Sequence, residues 1–110
     1  MMSIQFEEIF QIMVNSAQKS FKQHWPTIKD YATGEFDKLA TTIVNIEFLL
    51  KTGQISAGEA SILLEMQKNT ARAVMLALKG MTLLMVEQAI NDALDAVKKI
   101  VNDSLGFAFL

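Results

Sequence analysis

Two glutamates sit inside apolar runs. Glu47 lies between Ile46 and Phe48 in "NIEFLL", and Glu65 between Leu64 and Met66 in "SILLEMQK". Carboxylates placed this way build metal centres in helical bundles, where Glu-x-x-His pairs on two helices join further glutamates. No histidine follows either glutamate at the third position, and the single histidine, His24, stands beside Trp25-Pro26. The pattern therefore implies no metal and no cofactor. A histidine near a helix end, with no partner at catalytic spacing, reads as a cap or surface residue rather than a general base. Glu47 reads as a solvent-facing position of its helix. Cysteine is absent, which removes thiol catalysis, thiolate ligands and disulfides. No glycine-rich phosphate loop and no Ser/His/Asp set is present. The expectation is a protein that is not an enzyme.

Charge narrows the partners. Ten basic and twelve acidic residues give a net charge of −2, with no basic block. A nucleic-acid phosphate backbone has nothing to bind. The stretch "TGQISAGEA" has the look of a helix-turn-helix turn, but the next helix opens with Glu59 and the flanking helices are too long. The opening "MMSIQFEEIF" has no basic segment and puts Glu7 and Glu8 where a secretory leader would be apolar. A cytoplasmic protein is expected.

The elements that would position any site are helical. One proline and five glycines punctuate 110 residues, of which 51% are hydrophobic. The length suits a single domain, 1–110. A first apolar stripe runs Phe6, Ile9, Phe10, Met13, Ala17, Phe21, giving a helix over about 4–23 with Ser3 as N-cap. Pro26 ends or kinks it. A second stripe runs Trp25, Ile28, Ala32, Phe36, Leu39, Ile43, Ile46, Leu50, with Gly34 as a weak point. In "KTGQIS", Gly53 suits a left-handed helix end. Ser56 and Glu59 form a capping box, so the flanking helices are antiparallel neighbours.

Beyond Ala57 the helical pattern continues to about Leu105, with Gly106 as cap. One line along it passes Glu65, Lys68, Arg72 and Lys79, then Val86, Ile90, Ala93 and Val97. The opposite line passes Leu63, Met66, Thr70, Val74, Ala77, Met81 and Leu84, then Gln88, Asn91, Asp95, Lys99 and Asn102. The apolar face changes sides, and residues 73–86 are apolar all round. That stretch is too short for a membrane span of about 20 residues. The favoured reading is a continuous helix, making a long hairpin (26–51 and 57–105) plus an N-terminal helix in an oligomeric bundle. The alternative is a four-helix up-down bundle (4–23, 26–51, 57–79, 82–105) with a turn at Gly80 and Thr82 as N-cap. Met66, Met75, Met81 and Met85 read as core packing.

These features predict an all-α, non-enzymatic interaction or structural protein that self-associates as a dimer or higher homo-oligomer. A mean hydropathy of +0.25 leaves surplus apolar area for a partner chain to cover. The candidate interface is Val74, Leu78, Met81, Met85, Val86, Ile90, Val97, Phe107 and Phe109. The second reading is a peripheral membrane or apolar-ligand binder using residues 73–86 and the tail "LGFAFL".

Overall fold

The computed structural model describes residues 3–110. Among them lie four α-helices, α1 (Phe6–Phe21), α2 (Trp25–Lys51), α3 (Ala57–Leu76) and α4 (Leu83–Leu105), with a 3-10 turn at Lys22–His24. They pack into an all-helical body of 42 × 22 × 19 Å. Each helix runs antiparallel to the next, and α4 returns beside α1. Ser20 Oγ near the end of α1 donates to Asp92 Oδ2 early in α4 at 3.0 Å. At the other end Ile4 and Ser104 meet at Glu47. The broadest pairings are α1 with α4 and α2 with α3.

Helix α1 buries Ile9, Met13, Ala17 and Phe21 of its expected stripe, while Phe6 and Phe10 are half-buried and stacked on each other. It is shorter than the 4–23 read from sequence, and its N-cap is Gln5 rather than Ser3. Ser3 Oγ donates instead to Glu47 Oε1 at 3.2 Å. The connection to α2 is tight, with Lys22 at φ +53° and ψ −122°. Those are the angles of the first central position of a type II′ turn, which glycine normally takes. Pro26 falls in the first turn of α2, where its missing N–H has no helical partner to lose. Helix α2 then runs unbroken through Gly34. No atom outside the helix backbone lies within 4 Å of a Cβ placed there.

The capping box is as read. Ser56 N donates to Glu59 Oε1 at 2.9 Å, and Glu59 N to Ser56 Oγ at 3.1 Å. The continuous helix over 57–105 is not. α3 stops at Leu76 and α4 begins at Leu83. Gly80 has φ +85°, a conformation that penalises any Cβ. Thr82 is extended, and its hydroxyl accepts from Met85 N at 3.3 Å. The amides of Ala77 and Leu78 donate to carbonyls at the end of α3 (Ala73, Val74 and Met75), and Met81 N donates to the Leu78 carbonyl within the turn. A run as apolar as "LALKGMTLL" can turn because its backbone donors are satisfied locally and Leu78 and Met81 still rest against the core. The reversal frees the two segments to orient separately: α4 turns its line Val86, Ile90, Ala93 and Val97 inward, while α3 buries Ala60, Leu64, Ala71 and Met75.

Helix α4 buries Val86, Ala89, Ile90, Ala93, Leu94, Val97 and Val101. Helix α3 buries only Ala60, Leu64, Ala71 and Met75. The line expected to be buried on α3 is largely outside. Met66 is 60% exposed, Thr70 and Ala77 are exposed, and Val74 is half-buried. Leu84, at the start of α4, is 75% exposed. The buried line lies between that apolar line and the charged one. Lys68 is correspondingly half-covered, with its ammonium 3.1 Å from Glu65, as a long stem allows.

Candidate functional site

Residues expected at an interface separate into three groups. Val86, Ile90 and Val97 are buried within this chain, so in the folded protein they have no surface to offer. Val74, Leu78, Met81 and Met85 are half-buried around the α3–α4 turn. Phe107 is exposed, while Phe109 is half-buried and meets Phe107 edge to face at 6.0 Å. The tail is held by Asn102. Its Oδ1 accepts from the amides of Phe109 and Leu110, both at 2.9 Å. Gly106, left-handed at φ +82°, provides the reversal that brings them there.

The residues that do form an open apolar surface lie elsewhere. On α3, Ile62 (61% exposed) and Met66 stand outward, with Leu63 beside them. Asn69, Thr70, Ala73 and Ala77 continue the same face and are all exposed. The outward face of a surface helix is ordinarily charged. Here the charged side chains Glu65, Lys68 and Arg72 lie to one flank, towards α4. Arg72 is paired with Glu87 of α4 and with Asn69. On the other flank a groove of about 360 Å³ runs between α2 and α3, lined by Thr42, Asn45, Ile46 and Leu49 against Leu63, Met66, Gln67 and Thr70. The signal was present in the sequence as an uncharged line through Ile62, Met66, Asn69 and Ala73. An uncharged line on a helix is compatible with burial or with exposure, so it does not by itself mark a surface.

Glu47 is the main polar correction. It is 5% exposed, not solvent-facing. Its carboxylate accepts from Ile4 N at 3.0 Å, from Lys51 Nζ at 3.2 Å, and from the hydroxyls of Ser3 and Ser104. Burial pushes its pKa up. The hydrogen bonds from Ser104, Ile4 and Lys51, with the Lys51 charge, outweigh that and hold it below the usual carboxylate value. This arrangement fastens the chain start to the ends of α2 and α4. Glu35 of α2 is also buried, and Lys38 Nζ lies 3.1 Å from its Oε2.

His24 is half-buried, with Nδ1 4.0 Å from where a Cβ on Gly80 would stand. It packs against the α3–α4 turn. Among the described residues, no three His, Asp or Glu side chains gather as a metal ion would require. No described helix is long and apolar enough to cross a membrane. Comparison with family models, with curated proteins and with solved structures finds no match for this chain.

Proposed function

We propose that this protein is a helical interaction module that associates with itself through apolar helix faces. One observation carries the reading. Tyr31, Phe48, Ile62, Met66, Leu83 and Leu84 are each more than half exposed although the bundle interior is already filled. Where such side chains adjoin, as Ile62, Leu63 and Met66 do at i, i+3 and i, i+4 spacing on α3, they offer a surface that another molecule can cover. Its chemistry on this reading is burial and release of helix faces. Light scattering behind size exclusion tests it. A mass at least twice the 12.3 kDa chain is expected at tens of micromolar. A constant monomer mass up to millimolar concentration would overturn the proposal.

A second reading rests on Leu83 and Leu84. They are adjacent, strongly exposed and next to the turn, and Leu84 borders a hollow shared with Lys22 and His24. Apolar side chains beside a cation suit the surface of an anionic bilayer. Flotation with vesicles containing phosphatidylserine, lost on Leu83→Ser/Leu84→Ser, would favour this reading. Absence of flotation by the wild type would remove it.

A further inference from the structure

We infer that the outward face of α3 pairs with the same face of a second copy, antiparallel, about a two-fold axis between Asn69 and Thr70. The inference rests on the self-association proposed above and specifies where it occurs. In an antiparallel pair about that axis, residue 69 of one copy faces 70 of the other, 66 faces 73, and 62 faces 77. The large exposed side chains Ile62 and Met66 therefore meet the small exposed Ala77 and Ala73. Large-against-small is the arrangement that lets two helices approach and interdigitate. Near the axis, Asn69 and Thr70 bring no charge against its own copy. At each end, Glu59 comes opposite the turn bearing the exposed Lys79, a juxtaposition of opposite charges.

The face is free for this use. Met66 and Ile62 are about three-fifths exposed. Thr70 Oγ1 donates to the Met66 carbonyl of its own helix at 3.1 Å, so its methyl group can face outward. Helix α3 has 20 residues, a length of about 30 Å. Two such helices laid side by side cover several hundred Å² per chain, towards the lower end for a specific interface, which on the order of 800 Å² per partner typifies. An interface of that size suits a reversible dimer, with the groove between α2 and α3 at its margin.

The absence of cysteine makes the test clean. Met66→Cys and Ala73→Cys variants are prepared separately, then mixed under mild oxidation. Disulfides need Cα atoms within about 7 Å. In the antiparallel pair residue 66 meets 73, while 66 and its own copy stand seven residues, about 10 Å, apart along the axis. Cross-linked dimer is therefore expected in the mixture and not in either variant alone, whereas Thr70→Cys should cross-link by itself. Cross-linking of Met66→Cys alone would show a parallel pairing and overturn the inference. Sedimentation equilibrium of Met66→Glu gives the independent arm. At least a tenfold weaker association is expected, with an unchanged thermal melt at concentrations low enough for both proteins to be monomeric. A wild-type dimer whose mass Met66→Glu leaves unaltered would sink the α3 face while leaving self-association standing. A wild-type monomer at every concentration would sink both.

Discussion

Helices α3 and α4 are consecutive and similar in length, 20 and 23 residues, yet they are held in opposite ways. α4 puts seven side chains in the core; α3 puts four, two of them alanines. In α4 the apolar line Val86, Ile90, Ala93, Val97 lies opposite the polar line Gln88, Asn91, Asp95, Lys99. Only one rotation about the helix axis buries the first and wets the second. In α3 the apolar residues spread round most of the circumference, and beyond Glu59 in the first turn the charge is confined to one flank. Several rotations bury comparable apolar area there, so neighbouring helices decide which is used. Segregation of polar residues, rather than apolar content, determines how firmly a helix is oriented.

The largest expected effect breaks this comparison at its strong side. Val86→Asp places an unpaired charge in a fully buried site of α4. The cost of several kcal/mol rivals the whole stability of a small domain, and no cooperative thermal transition should remain. Val74→Asp, in the half-buried part of α3, should leave a folded protein with a loss of about 1–2 kcal/mol, within the usual range for single substitutions. Lys79→Gln should change the melt very little. Equal losses for the two aspartates would show that α3 is held as tightly as α4.

Glu47 tests the end of the bundle where α4 is secured. Glu47→Ala leaves the Ile4 amide and the Ser104 hydroxyl without their acceptor, at about 1–3 kcal/mol. The carboxylate's pKa is lowered in the folded state from an ordinary 4.5. Its stabilising contribution is therefore complete above about pH 4.5 and is lost as pH falls through the lower folded value. The melting-temperature gap between wild type and Glu47→Gln should be widest near neutral pH and shrink in acid. A gap that grows in acid would contradict the assignment.

Three backbone positions give smaller effects of predictable sign. Gly80→Ala should cost about 1–2 kcal/mol, because its left-handed conformation disfavours a Cβ. Gly34→Ala, in an open helix interior, should gain up to about 1 kcal/mol. Lys22→Gly should raise stability by on the order of 1 kcal/mol by relieving a positive φ on a side-chain-bearing residue. Thermal melts of the three variants check the signs. A stabilised Gly80→Ala would restore the continuous helix and remove the difference between α3 and α4 at its origin.

Much of the architecture was legible where chemistry is local. The capping box at Ser56 and Glu59, the helix end at Gly53 and the stripe of α1 each depend on residues within one or two turns. Gly80 and Thr82 carried a correct turn signal too, but the apolar sequence around them weighed towards a helix. That weighting failed because a turn resting on the core need not be polar. Glu47 was misread because its partners, Ile4 and Ser104, lie 43 and 57 residues away. The α3 face was misread because a line without charge can be either buried or open.

The sequence by itself determined the helical class, the punctuation of the helices and the inward face of α4, since backbone propensity, capping and segregated polarity act within a few residues. Tertiary structure alone decided the rotation of α3, the burial of Glu47 and the docking of the tail on Asn102. Each of these compares free energies of alternative contacts between distant segments, and the differences come from which helix lies alongside, not from the residues of either helix alone.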